Sequence, residues 1–327
     1  MNIAQTKEAL RALWSNDACP PAFLSGPPGV GKTATVSQVA ADMGLALITI
    51  ALPTCESVDL RGLPVIVGGA TTWASPLPKD GEGVLLLDEI SSALRDVQVA
   101  AHHLLHAERG SDMCMPVGWR VACTGNRAVD RSTYIPLSAP LRNRLTYIEV
   151  QADVEEWAAW SQRQNLHPAL IGFLRWRPNL LTTATPPDEG PFSSPRSWHS
   201  CSSILKLSVS ALVERALLAG TVGEGAATEL AAYMLTYREL PTARAIMQNP
   251  KKAEVPTSPS ILYALVTALA QYTVIEQSSA MQYVRRLPAE FIRLYLGDVK
   301  DRWSLRDDPA VVDWIDKHPE AFAYGRQ

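Results

Sequence analysis

Lysine is scarce in this sequence, paired cysteines are missing, and no long apolar run crosses it. Each shortage excludes a class of protein. Only 8 of the 30 basic residues are Lys, no Lys/Arg block exceeds two residues, and the formal net charge is −3. That balance argues against a generic binder of nucleic acid or other polyanions. The five cysteines, Cys19, Cys55, Cys114, Cys123 and Cys201, are scattered and odd in number, with no C-x-x-C spacing. They read as reduced thiols rather than as a disulfide framework. No segment approaches the roughly 18 consecutive apolar residues of a membrane helix. The opening MNIAQTKEALRALW sets Leu10, Leu13 and Trp14 on one side of an amphipathic helix, without the basic and apolar regions of a signal peptide. The expectation is a soluble, cytoplasmic chain with no membrane contact. AAHHLLH puts His102 and His106 four residues apart beside His103, but no third ligand follows at useful spacing, so a metal pair is set aside.

What the chain does have is a 47% hydrophobic content, enough for a sizeable core, and one dense motif. Residues 26–33 read GPPGVGKT and satisfy G-x-x-x-x-G-K-[ST] at every fixed position. Glycines there let backbone N–H groups approach a polyphosphate. Lys32 reaches the β- and γ-phosphates, and the Thr33 hydroxyl is a Mg²⁺ ligand. The apolar AFLSG of residues 22–26 reads as a strand entering the loop, and 32–43 as a helix whose N-terminus favours the phosphates. The nucleotide-binding set is therefore Gly26, Pro27, Pro28, Gly29, Val30, Gly31, Lys32, Thr33 and Ala34, with ATP and Mg²⁺ expected. A second motif follows. GVLLL at 83–87 reads as a strand buried on both faces, and it delivers Asp88 and Glu89 at its carboxyl end, where ligands bind in open α/β sheets. Asp88 would hold Mg²⁺ with Thr33, and Glu89 would polarise the attacking water.

At 327 residues two units are expected. From 22 to 150 the pattern alternates strand and helix, which predicts a parallel sheet with covering helices. The strands fall at 22–26, 45–51, 83–87, 119–124 and 145–150, and the helices at 32–43, 91–108 and 139–143. PVIVGGATTW (64–73) reads as a hairpin around Gly68 and Gly69, and 108–119 as a second hairpin or loop. Beyond 150 the strand signal stops. Helices are expected at 153–164, 168–176, 195–208, 209–219, 223–238, 261–277, 281–296 and 308–323. A Pro/Thr/Ser-rich loop spans 178–194 and a polar linker spans 249–260. Trp303 and Trp314 read as helix anchors.

An ATPase working through its neighbours needs three further polar groups, and each has a candidate. VACTGN ends in Asn126, directly after the fourth strand. LSAPLRNRL offers Arg142 and Arg144 before the fifth, placed to act in trans on a neighbouring subunit. SPRSW puts Arg196 in the first turn of a helix. In this order GPPGVGKT, VDLRGLP (58–64), LLLDEI (85–90), TGNR (124–127), LRNRL (141–145) and SPRSW (194–198) resemble the AAA+ ATPases, within them the MoxR-type group with its NorQ- and CbbQ-like activators. The resemblance covers 22 to about 210. It implies a P-loop AAA+ α/β fold, a parallel five-stranded sheet with helices on both faces, followed by an all-helical lid and C-terminal helices. The corresponding domains are 1–150, 151–255 and 256–327, the last packed with the lid and without any motif. By the same resemblance Asn126 is sensor 1, Arg144 the arginine finger with Arg142 beside it, and Arg196 sensor 2. Residues 60–76 match an insert facing the ring pore, and 109–119 a presensor hairpin. The implied function is ATP hydrolysis by a homo-oligomeric ring, a hexamer, that acts as a chaperone-like remodeller of a partner with a von Willebrand factor A domain. Two rivals use the same P-loop. A nucleic-acid-directed or restriction-type motor lacks support from any basic block, and a monomeric metabolite kinase has no need of Asn126, the arginine pair or Arg196.

Overall fold

The computed structural model describes residues 1–16, 18–74, 77–78, 80–106, 115–130, 134–239, 242–271, 277–299 and 312. Its packing divides the chain into two units, Met1–Asp153 with Ala184–Asp188, and Val154–Thr183 with Glu189–Gln327.

The first unit runs α1 (Ile3–Trp14), β1 (Ala22–Ser25), α2 (Lys32–Asp42), β2 (Ala46–Ala51), α3 (Ser57–Arg61), β3 (Leu63–Val67), β4 (Ala70–Ala74), β5 (Gly83–Asp88), α4 (Arg95–His106), β6 (Trp119–Gly125), α5 (Ala139–Arg142) and β7 (Thr146–Glu149). Five strands pair in the order β2-β5-β6-β1-β7, all parallel, as the sequence pattern predicts. Side-chain alternation builds two cores from one strand. Val84 and Leu86 of β5 join Leu10 and Trp14 of α1 and Val36 and Val39 of α2. Leu85 and Leu87 point the other way, to Leu60 of α3, Val97 and Ala101 of α4, and Leu141 of α5. Both faces are thereby covered, which is why GVLLL is continuously apolar. α1 opens with a capping box in which the Asn2 side chain accepts from Gln5 N and the Gln5 side chain accepts from Asn2 N.

β3 and β4 form a separate antiparallel hairpin, turning at Gly68 and Gly69, both at positive φ. α4 starts at Arg95 rather than at 91. Residues Ile90–Ser92 close a 3₁₀ turn and Ala93 is extended, so the acidic pair is followed by a tight corner before the helix. Residues 107–108 and 109–114 of the expected helix end and second hairpin lie outside the described residues.

The second unit is helical: α6 (Val154–Arg163), α7 (Pro168–Trp176), α8 (Pro195–Ile204), α9 (Ala211–Val222), α10 (Glu224–Glu239), α11 (Ala243–Gln248), α12 (Pro259–Ala270), α13 (Gln277–Val284) and α14 (Ala289–Val299). α7 is its centre, with every residue from Ala169 to Arg175 buried. A Cβ on Gly172 would sit 2.7 Å from Ala264 Cα, so only glycine lets α12 approach this closely. The helix expected over 281–296 is two helices. Pro288 offers no N–H and disfavours helical backbone at Leu287, so α13 ends and α14 restarts. α11 was not read from the sequence, and its signal was Thr242, whose hydroxyl accepts from Ala245 N as an N-cap. α12 opens two residues before 261, with Pro259 in its first turn, and ends at Ala270. The helix expected at 308–323, apart from Val312, and Trp303 and Trp314 lie outside the described residues.

No helix among the described residues is long and apolar enough to cross a membrane. Burial pushes the Cys123 and Cys201 thiols up to about 12, which makes them packing groups.

One buried ion pair ties α14 to the centre of this unit. Arg175 donates through both terminal nitrogens to Asp298, each at 2.7 Å, and to Glu155 of α6. Its side chain is 2% exposed and that of Asp298 is 5%. Burial works against the arginine charge, but the Asp298 and Glu155 carboxylates outweigh it and raise Arg175 above its ordinary value. Removing Asp298 leaves the buried Arg175 with only the largely exposed Glu155 carboxylate. Asp298→Ala is expected to cost about 3–5 kcal/mol in the helical unit, read as an earlier urea transition of that unit. A transition at the original denaturant concentration would remove the pair from the stability account.

Candidate active site

Parallel register brings three strand ends level. Ser25 of β1 pairs with Gly125 of β6, and Leu87 of β5 pairs with Cys123. The chain therefore leaves β1 at Gly26, β5 at Asp88 and β6 at Asn126 on one edge of the sheet. Gly26 is tightly enclosed, since a Cβ there would meet Val150 O at 2.5 Å. Gly31 starts α2 at φ 106, a backbone that side chains with a Cβ rarely adopt. The loop returns the chain to the head of α2, and the N-terminus of a helix is a backbone site that favours anions.

Lys32 is 8% exposed, and its ammonium donates to Gly26 O at 2.7 Å, Pro27 O at 3.0 Å and Asn126 Oδ1 at 3.0 Å. Thr33 Oγ1 lies 3.0 and 3.2 Å from the two oxygens of Asp88. A hydroxyl and a carboxylate converging this closely form a hard-oxygen donor pair that suits Mg²⁺. Pro27 is buried, Pro28 and Gly29 are half-buried, Val30 packs into the core beneath α2, and Ala34 is exposed in its first turn. Glu89 is exposed and sits at φ 58, ψ 39, left-handed for a residue with a Cβ. Its N–H donates to Thr124 Oγ1 at 3.1 Å. The Asn126 N–H donates to Ser91 Oγ at 2.9 Å.

The structure thus pairs Lys32 with Asn126 and Thr33 with Asp88, with Glu89 next to Asp88 in the chain. Arg142 is exposed at the end of α5, and Arg144, two residues on, donates to Pro140 O at 2.9 Å. Arg196 belongs to the helical unit. It is exposed in the first turn of α8, one residue after Pro195, in a turn closed by a Ser194–Ser197 capping box. The sequence reading assigned nothing to Thr124 or Ser91. The signal for Thr124 was a hydroxyl at the end of a buried strand beside the one carrying Asp88. Arg127 braces the loop after β6 by pairing with Asp130 at 2.7 Å and Glu149 at 3.5 Å.

Residues 22–116 match the ATPase family associated with various cellular activities (AAA). That stretch holds the phosphate loop and Asp88, so the family match falls on the strand ends described above. Over 93 residues it is 39% identical to protein NorQ of Paracoccus denitrificans, a stretch that covers 27% of this chain and 34% of NorQ. Most of both chains therefore lies outside that match. Among solved structures, NtrX from Brucella abortus is similar at 14% identity and TM-score 0.42, over 92% of this chain and 68% of that one. The Thermotoga maritima RuvB Holliday junction branch migration motor is similar at 17% identity and TM-score 0.41, over 86% and 87% of the two chains.

Proposed function

We propose that this chain is a Mg-ATP-hydrolysing AAA+ ATPase of MoxR type that assembles as a homo-oligomeric ring, a hexamer, and remodels a partner protein with a von Willebrand factor A domain. The observation that supports hydrolysis most is the pairing of Lys32 with Asn126 and of Thr33 with Asp88 at neighbouring strand ends. Residues 26–34 would wrap the phosphates with backbone amides, and Lys32 would exchange its carbonyl partners for the β- and γ-phosphates. Thr33 and Asp88 would hold Mg²⁺, which supplies charge neutralisation to the phosphates. Glu89 and Asn126 would orient the water for in-line attack on the γ-phosphate. Arg144, with Arg142 beside it, would complete the site of the adjacent subunit, and Arg196 would approach the nucleotide from the helical unit. The MoxR reading is supported by the similarity to NorQ together with VDLRGLP, TGNR and SPRSW. Contact with the partner is assigned to the β3–β4 hairpin, where Ile66 is 80% and Val67 62% exposed. Apolar side chains on a hairpin that covers no core suit a surface made for another protein.

Hydrolysis and binding separate by mutation. Glu89→Gln is expected to keep ATP binding while turnover falls by orders of magnitude, whereas Lys32→Ala weakens binding itself; nucleotide titration and phosphate release read the two. Near-normal turnover of Glu89→Gln would take Glu89 out of the mechanism. Arg144→Ala should bind ATP and lose about 10³–10⁵ in rate if it acts as a finger. Mixed from dissociated subunits with Glu89→Gln, it should recover part of the activity, because some interfaces then join an intact Glu89 to an intact Arg144. Verified mixed rings no better than either parent would end the trans assignment. For the partner, turnover is expected to rise when a von Willebrand factor A protein is added, should the neighbouring genes encode one. Turnover indifferent to that protein would sink the partner reading alone.

A further inference from the structure

Two hydroxyls cross-link the ends of β5 and β6 in opposite directions. Thr124, wholly buried on β6, donates its proton to Asp88 Oδ1 and accepts from Glu89 N–H at 3.1 Å. Ser91, 1% exposed in the turn after β5, accepts from Asn126 N–H at 2.9 Å. Gly125 lies between them, and a Cβ there would come within 2.8 Å of Ser91 Oγ and 2.9 Å of the Phe23 ring. The two strand ends are held closer than any larger residue at 125 would permit.

From this geometry we infer that Thr124 is a positioning residue, whose single hydroxyl aims the Asp88 carboxylate and pins the backbone of Glu89. The inference rests on the ATPase reading above and adds a residue to it. The hydroxyl has one proton to give, and it gives it to Asp88 Oδ1. That takes one lone pair of an Asp88 oxygen that also faces Thr33, so the carboxylate cannot rotate without breaking that bond. The threonine hydroxyl oxygen also accepts the N–H of Glu89, a residue in left-handed backbone, a conformation that persists only where its surroundings fix it. One atom therefore couples the orientation of the Mg²⁺ ligand to the placement of the residue that polarises water. The chain needs a hydroxyl here, and the β-branched methyl of threonine fits the buried strand.

Thr124→Val keeps the shape and removes both hydrogen bonds, while Thr124→Ser keeps both and removes a methyl. In Thr124→Val the Mg²⁺ concentration for half-maximal turnover is expected to rise about 10–100-fold. ATP binding measured without Mg²⁺ should stay at the wild-type value, because the phosphate loop is untouched. In the nucleotide-free protein the Glu89 amide should exchange with solvent about 5–10-fold faster, the worth of one net hydrogen bond. Thr124→Ser should return the Mg²⁺ requirement and the Glu89 amide exchange to near wild type and leave ATP binding without Mg²⁺ unchanged. Should Thr124→Val fail to fold, Thr124→Ala against Thr124→Ser isolates the same hydroxyl. Equal behaviour of the hydroxyl-bearing and hydroxyl-free variants overturns the role of Thr124 and leaves packing as its only function. A wild-type chain that turns over no ATP overturns the ATPase reading instead, and the exchange of the Glu89 amide still decides whether Thr124 holds that residue.

Discussion

Because β1, β6 and β5 run parallel and are buried on both faces, their backbone amides and carbonyls are consumed along the strands, and polar groups become usable only where the strands stop. That constraint decides where chemistry can occur in this unit. Leu85, Leu86 and Leu87 leave no room for a charge inside the sheet, so Asp88 is the first position on β5 that can carry one. The register then sets who meets it. With Leu87 opposite Cys123 and Leu24 opposite Thr124, the end of β5 faces a hydroxyl on β6, and the loop leaving β1 returns Lys32 and Thr33 to the same edge.

A set of polar side chains this close to an apolar core is stable only if its members satisfy one another, since an unpaired buried donor or acceptor costs about 1–3 kcal/mol. Here the pairing is mutual and precedes any ligand. Two loop carbonyls and the Asn126 amide oxygen share the Lys32 ammonium, and two threonine hydroxyls share the Asp88 carboxylate. Thr33, Asp88 and Thr124 are bonded among themselves independently of the contacts that Lys32 makes. Glu89 is the exception in both respects. Its side chain is exposed and its backbone is left-handed, and it is held through its main-chain N–H to Thr124.

The sequence made the sheet legible because its signals there are dense. GPPGVGKT can hardly be read as anything but a strand-to-helix phosphate loop, and the apolar run at 83–87 followed by Asp88 names a central strand and its end together. Lys32, Thr33, Asp88 and Asn126 were singled out before their contacts were known. The misses have local causes. At α4 the eye follows hydrophobic periodicity back to Ser91, yet the corner at 90–93 is needed to aim Ser91 at Asn126, and geometry at the site overrode helix propensity. At 281–296 the apolar period runs straight through Pro288, and the missing N–H outweighed the pattern. Thr124 was passed over because a threonine in a strand is ordinary, and only the neighbouring strand gives it meaning.

The helical unit illustrates the opposite regime, in which nothing functional announces itself and the organising contacts lie far apart in sequence. Arg175 and Asp298 are separated by 123 positions, and no local pattern marks either as a partner of the other. Even so, their side chains are among the most buried charges of the unit, and they join α7, at its centre, to α14. Gly172 adds a second tie on the same helix, since its lack of a Cβ is what allows the α12 backbone to close against it. Residues 259–270 and 289–299 carry no motif, but they supply a large part of the apolar core that also contains Ile246 and Met247 of α11. A stretch that looks like an appendage by motif is thus part of the packing by geometry: α7 could not keep both its glycine notch and its buried arginine unless α12 and α14 filled them.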